Sequence, residues 1–432
     1  LGRWQRTWIQ TEGLNHVQVA WECGAGPGGK QVIQSMTLLQ RSDSTARPLR
    51  KHQTKIALLG QATDSDHLVV KNKFSLTYEN SETPVKDAIG EPCPSAVFPN
   101  FGDEDYARAV LDERSLKRLE KSLSHVEDPL LRAMIWDSLW QQLVEGELAA
   151  SRFAELVFRH ASQETHPASL QEILSFLRGG VARTSVARHL KDSERGPFFA
   201  KLERWSMKEL ESAKAGSDLQ LVWFEFVTQA ANSKSSRRWA RELLDGKRKI
   251  QGLDLDVERR WQLVTLLSRS GDSEAAARIA AQKEADPGDR GEKKAAAASA
   301  IAPDLEIKQK WLAEVLAEKP PSSPATLKAA LRGLWPLEQE ELAQEEVASY
   351  LLGLTSLSSR GAEAEEVLST YAWAAMPALC KPAIAHRFHH FLEQEGAGLS
   401  VSTRRTLMEG LQGIERCLKA RSERIPLEEP LI

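Results

Sequence analysis

Three groups of residues in this 432-residue chain have types and spacings that chemistry could use. The first is Asp103, Glu104 and Asp105, three carboxylates in a row that would suit a divalent cation. A calcium loop needs ligands at alternating positions, a glycine midway and a closing glutamate, and these are missing. The trio also stands where a β-like pattern gives way to a helical one, and a helix dipole favours acidic side chains in its first turn. We therefore expect helix initiation here. The second group is GAGPGGK, residues 24–30. Gly24, Gly26 and Gly29 match GxGxxG, and Gly24, Gly29 and Lys30 approach a phosphate loop with Gln31 in place of Ser or Thr. Both motifs work by aiming a helix N-terminus at phosphate. Here KQVIQSMTLLQ follows and reads as a strand, so a hairpin loop is expected. The third group is HRFHH. His386 and His390 have the spacing of a zinc-binding pair, but Arg387 holds the place of the catalytic glutamate. No HExxH and no GxSxG occur in the sequence. A structural histidine cluster is expected, with no catalytic residue and no metal ligand assigned.

The charge balance narrows the partners. Charged residues make up 27% and the formal net charge is −3, which argues against a nucleic-acid binder. The four cysteines (Cys23, Cys93, Cys380, Cys417) are far apart, with no CxxC pair. That reads as no disulfide framework and as a reducing, cytoplasmic compartment. No apolar run approaches the roughly 20 residues that span a bilayer. The opening LGRWQRTWIQ, with Leu1 rather than Met, reads as the tail of a helix already under way. We expect the native N-terminus, and any targeting signal with it, to lie upstream.

Two periods divide the chain. In HLVVKNKFSLTY, Val70, Phe74, Leu76 and Tyr78 share one parity while Lys71, Lys73, Ser75 and Thr77 share the other. That is the period of a strand with one buried face. VQVAWE repeats it, and KIALLG followed by QATDSD reads as a strand and a hairpin turn. TPVKDAIGEPCPSAVFPN carries four prolines and reads as an extended connection between domains. Beyond it the period becomes helical. In DPLLRAMIWDSLWQQLV, Leu131, Ile135, Leu139 and Leu143 form one stripe and Trp136, Trp140 and Val144 another. Asp128, Asp256 and Asp304 are expected N-caps, with Asp272 or Ser273 as a further one, and Gly271 is an expected helix end. The spacing suggests stacked helical hairpins of HEAT size. Nine of the twelve tryptophans fall in this half, at core spacing. The fold class expected is a small antiparallel β-sandwich followed by a large all-α superhelical domain. Its parts are 1–15 as a helix tail, 16–98 as the sandwich and 99–432 as the helical domain.

Taken in order, the segments resemble the C-terminal half of aminopeptidase N-type zinc metallopeptidases. RTWIQTEGLN resembles the helix end and turn that close the family's catalytic domain, through Trp8, Gln10, Thr11, Gly13 and Asn15. RPLRKHQTKIALLG is similar to a strand of its sandwich, and PNFGDEDYARAVLDERSL to the junction that opens its helical domain. DPLLRAMIWDSLW, GSDLQLVWFEFV, LDGKRKIQGLDLDVERRWQLV, ADPGDRGEKKAAAASAIAPDLEIKQKW and RGLWPLEQEEL follow in family order. The chain departs from the pattern at Pro99–Gly102 and at Pro287-Gly288. The resemblance implies that the zinc site, the GxMEN motif and the catalytic tyrosine belong to an upstream catalytic domain, the main partner. It implies that the chain itself is not the enzyme, carries no cofactor and limits access of peptides to a chamber. Trp4 and Trp8 are candidates for the surface meeting that domain. Basic groups near the C-terminal helix VSTRRTLMEGLQGIERCLKARSER would meet the far end of a peptide, and Arg404 and Arg405 are the candidates. The other reading is a stand-alone helical-repeat scaffold without peptidase activity.

Overall fold

Alternating side chains pack the first hundred residues into two sheets. The computed structural model describes residues 2–11, 13–42, 48–178, 185–377 and 379–422. These form two units, 1–143 with 155–169, and 144–154 with 170–432. In the first, helix α1 (Gly2–Trp8) precedes strands β1 (Asn15–Ala25), β2 (Gln31–Ser42), β3 (His52–Gln61), β4 (Leu68–Tyr78), β5 (Glu82–Pro84), β6 (Ala96–Phe98) and β7 (Arg108–Val110). One sheet runs β5-β2-β1-β7 and the other β4-β3-β6. Val17, Val19 and Leu38 from the first sheet meet Ile56, Leu58 and Val97 from the second in one buried cluster. The structure is thus a β-sandwich followed by a helical domain. GAGPGGK is the turn between β1 and β2, with no α-helix after it. QATDSD joins β3 to β4, which pair from His52↔Tyr78 to Gln61↔Leu68.

Three expectations need correction. The proline-rich stretch is not a connection: it supplies β5 and β6, and Ala96, Val97 and Phe98 are fully buried. Pro84 is tolerated because β5 lies at a sheet edge, where a missing N–H costs no ladder bond. The last strand, β7, pairs parallel with β1 at 108–110.

Asp103, Glu104 and Asp105 do not begin a helix. Asn100, Gly102 and Asp103 adopt positive φ (60°, 83° and 55°), a turn that Asn, Gly and Asp tolerate. Glu104 pairs with Lys55. Asp105 is buried and accepts from His52 Nδ1 at 2.6 Å and the Tyr78 hydroxyl at 2.5 Å. The Asn100 side chain clamps the backbone N–H and C=O of Asp105, both at 2.9 Å. His52 Nε2 lies 3.0 Å from Asn15 Oδ1, which also accepts the Arg50 N–H. Arg50 in turn donates to the carbonyls of Thr7 and Thr11. Trp8 sits edge-on to His52, 4.9 Å between ring centres, so α1 is held to the sandwich through this network. Trp4 stays exposed. The helix starts at Glu113, where Asp112 accepts the N–H groups of Arg114 and Ser115.

The third correction concerns the cysteines. Cys23–Cys93 and Cys380–Cys417 are disulfides, separated by 70 and 37 residues. Pairs so far apart are made by the fold and cannot be read from linear spacing. Each such bond is worth on the order of 2–4 kcal/mol through the chain freedom it removes from the unfolded state.

The remaining helices are α2 (Glu113–Ser122), α3 (Pro129–Val144), α4 (Ala150–His160), α5 (Pro167–Arg178), α6 (Val186–His189), α7 (Asp192–Ser212) and α8 (Asp218–Ala230). Then come α9 (Lys234–Leu244), α10 (Val257–Arg269), α11 (Ala275–Ala285), α12 (Asp289–Ala300), α13 (Leu305–Leu316) and α14 (Pro324–Gly333). The last are α15 (Glu340–Glu345), α16 (Val347–Ser358), α17 (Glu365–Ala374), α18 (Pro382–Gln394) and α19 (Val401–Ala420). Side chains of Asp128, Asp256 and Asp304 cap α3, α10 and α13, and Asp272 accepts the N–H of Glu274 ahead of α11. Gly271, at φ 67°, follows α10. From α8 to α14 each second helix packs on the next but one, α8 on α10, α10 on α12 and α12 on α14; α14 then packs on α17, and α17 on α19. Tyr350, Tyr371 and Phe388 fill the later part of this core.

Lys308 is fully buried there, donating to the carbonyls of Ala300 and Leu334 at the ends of α12 and α14. Burial pushes its ammonium down to about 7 from 10.5, against the pull of Asp304.

Two outcomes are expected. Asp105→Ala strands two buried donors and should cost about 2 kcal/mol or more in urea denaturation. For Lys308, the unfolded chain binds an extra proton between about pH 7 and 10.5, so this group makes stability rise with pH across that window. Relative to Lys308→Met, wild-type stability should climb by up to ~1 kcal/mol per pH unit above pH 7. Parallel pH profiles would contradict this.

Candidate functional site

A cavity of about 1020 Å³ in the helical unit is built on one face of α7. Arg195, Phe199 and Glu203 recur every four residues, so one helix stripe delivers all three. The N-terminal end of α9 and the segment at 337–342 complete the wall.

Several charges on this wall are held by partners. Arg195 holds Glu340 through two hydrogen bonds of 2.5 and 2.8 Å, and Asp192 lies 3.4 Å from it. Glu203 accepts the N–H groups of Asn232 and Ser233, at 2.9 and 3.1 Å, and the hydroxyls of Ser233 and Ser236. Burial alone would raise its carboxyl; these hydrogen bonds more than offset that and lower it. Arg178 pairs with Glu338, and the Arg269 guanidinium lies 3.8 Å from the same carboxylate. Burial would raise the Glu338 carboxyl too, but Arg178 and Arg269 hold it down at about 2. Arg269 also donates to the carbonyls of Gln229, Thr228 and Ala231 at the end of α8.

Among the described residues no group of three His, Cys, Asp or Glu could hold a metal ion. In HRFHH, His389 Nε2 meets Glu415 at 2.8 Å, and the set acquires no further carboxylate from another element. Fixed guanidiniums and carboxylates surround an open space.

Arg404 and Arg405 lie elsewhere. Arg405 is 80% exposed and pairs with Glu409, also exposed, at 2.8 Å along the same helix. Arg404 lines a shallower space of about 390 Å³ between α18 and α19, together with His389 and Glu415. The buried arginine of this region is Arg421, which donates to the carbonyls of Arg188 and Cys380. The sequence reading passed over Arg178, Arg195, Arg269, Glu338 and Glu340. RGLWPLEQEEL did show an acidic cluster, but nothing in linear order pairs Glu338 with an arginine 160 residues away.

With fold and site in view, the comparison with known proteins is clear. Residues 96–416 match the ERAP1-like C-terminal domain, and the chain belongs to that family. Along 98% of its length it is 27% identical to Aminopeptidase N of Streptomyces lividans, of which it covers 48%. The chain thus spans about half the length of that relative. No described helix is long and apolar enough to cross a membrane.

Glu338→Gln should leave two buried guanidiniums without a full counter-charge. We expect a loss of about 3 kcal/mol in equilibrium denaturation. Arg405→Ala, which breaks only an exposed pair, should leave the transition unmoved.

Proposed function

We propose that this chain is the non-catalytic C-terminal region of a zinc aminopeptidase, enclosing the active-site chamber and controlling which peptides enter it. The observation that carries this reading is the match of nearly the whole chain to about half of a bacterial Aminopeptidase N, together with its family membership. The complete protein would remove N-terminal residues from peptides, with zinc and its ligands supplied by a preceding catalytic domain, this chain's main partner. The charge-lined cavity suits a part that receives substrate. The exposed Trp4 is the candidate contact with the catalytic domain, whereas Trp8 is half-buried against His52 and Arg50. All four cysteines are paired, so they give no ground for a reducing, cytoplasmic compartment.

Of the two arginine candidates, Arg404 is the one facing a recess, where a guanidinium can hold a carboxylate by two parallel hydrogen bonds. The test joins the chain to the coding region that precedes it. The joined protein should release aminoacyl arylamides in a chelator-sensitive way, and the chain alone should not. In the joined protein, Arg404→Ala should raise KM for peptides several residues long by about fivefold, since a lost charge-assisted contact is worth on the order of 1 kcal/mol. It should leave a single-residue arylamide unchanged. Equal losses on both substrates would mean misfolding, no loss on either would make Arg404 surface charge, and arylamide turnover by the chain alone would overturn the reading.

A further inference from the structure

The two disulfides of the chain stand in opposite surroundings. Cys380 and Cys417 are 1% and 0% exposed, inside the core that also holds Tyr350 and Phe388. Cys23 and Cys93 are only half-buried, at the margin of the sandwich core. A thiol can reach the second pair from solvent and is kept from the first. Thiol–disulfide exchange needs that access, and its rate also depends on how readily one sulfur departs as a thiolate.

A cation stands at one of these sulfurs. Arg114, in the first turn of α2, donates from Nη2 to Cys93 Sγ at 3.3 Å. The same guanidinium lies 3.9 Å from the ring centre of Trp21, which holds it against the sandwich. Arg114 has no ion pair among the described residues, so no carboxylate competes for its charge. A positive charge beside a sulfur favours its anionic form. Cys93 is therefore the better leaving group, and Cys23 the sulfur open to attack.

The strands around the bond are held independently of it. The Cys93 N–H donates to the Gln31 carbonyl at 3.0 Å, and the Ile33 N–H to the Glu91 carbonyl at 2.9 Å. Further on, the Ser95 N–H reaches the Leu59 carbonyl at 2.7 Å and the Val97 N–H reaches Ser115 Oγ at 2.8 Å. Cys23 itself pairs with Ile33 in the β1–β2 ladder. These bonds keep the two cysteines neighbours when their sulfurs part, so the disulfide can re-form.

We propose that Cys23–Cys93 is a reversible exchange site for a small thiol, opened by attack on Cys23 while Cys93 leaves as a thiolate facing Arg114. The incoming thiolate forms a mixed disulfide with Cys23 as the Cys23–Cys93 bond breaks, and Cys93 keeps the electron pair. A second thiolate attacks the reagent sulfur of that adduct. It releases Cys23 as a thiolate and the reagent as its own disulfide. Two thiols are oxidised and one protein disulfide is reduced, and the reagent disulfide reverses the sequence. The proposal does not depend on the peptidase reading.

The folded full chain is incubated with glutathione at neutral pH, quenched at intervals with iodoacetamide and read by peptide mass spectrometry. The Cys23–Cys93 bond should open about tenfold faster than Cys380–Cys417 or more, as access governs exchange. Glutathione should be trapped on Cys23 and the alkyl group on Cys93. Circular dichroism should still show a cooperative thermal transition after opening, and glutathione disulfide should restore the bond. Arg114→Gln should slow opening about fivefold, the rate equivalent of ~1 kcal/mol. Arg114→Lys keeps a cation at the site and should recover most of the rate. A variant that merely loosened the sandwich would expose the sulfurs and speed opening, so the sign of the change separates charge from disruption. Equal rates for the two disulfides, glutathione on Cys93 alone, loss of the cooperative transition on opening, or unchanged or faster opening in Arg114→Gln would overturn the proposal.

Discussion

The helical unit is organised around one carboxylate serving two buried guanidiniums. Glu338 pairs with Arg178 at the end of α5 and lies near Arg269 at the end of α10. Coulomb attraction in a desolvated interior is strong, but so is the penalty for bringing the charges there. The pair alone would be poor evidence of stability. What makes the arrangement hold is the backbone: Arg269 spends its two terminal nitrogens on the carbonyls that end α8, and Gln339 donates to the carbonyls of Arg269 and Ile301. The ends of α8, α10 and α12 are thereby tied to one short segment. Helix ends leave carbonyls unsatisfied, and arginine is the side chain that can satisfy several at once. Lys308 does the same further along, between the ends of α12 and α14.

The sandwich solves an analogous problem with a neutral-to-acidic node. Asp105 accepts from His52 and Tyr78, while Asn100 holds its backbone from both sides. Burial, and then Asp105 itself, keep the Tyr78 proton in place, so the hydroxyl stays a donor. Through Asn15 and Arg50 the node reaches α1. A short helix with little core of its own is in this way fastened by polar contacts rather than by apolar burial, with Trp8 laid against His52.

The same distinction explains what was legible in the sequence. Apolar periodicity and caps are local, and they were read correctly: Val17, Val19 and Trp21 face the sandwich core, Leu131 and Ile135 are buried, and Asp128, Asp256 and Asp304 cap where expected. Asp103, Glu104 and Asp105 misled because acidic residues suit a helix start and a turn equally well, and what decided was a histidine 53 residues away. The proline-rich stretch misled because proline excludes central ladders but not edges. The disulfides and the Arg178–Glu338 pair are products of tertiary proximity, with separations of 37, 70 and 160 residues. No local rule reaches that far. Arg404 and Arg405 were chosen for being basic on a C-terminal helix, a criterion that cannot separate an arginine in a recess from one paired with its own helix neighbour.

Family membership and charge geometry together limit how this unit could act on a ligand. A flexible surface arginine must lose side-chain freedom when it grips a carboxylate, at a cost of about 0.5–1.5 kcal/mol per side chain. Arg178, Arg195 and Arg269 have already lost that freedom in folding, because carboxylates and backbone carbonyls hold them. Their water has also been removed. A ligand entering the cavity on α7 therefore meets donors that need not reorganise, in surroundings that screen charge less than bulk water does. Where these guanidiniums stand is set by where Glu340 and Glu338 fall relative to three arginines.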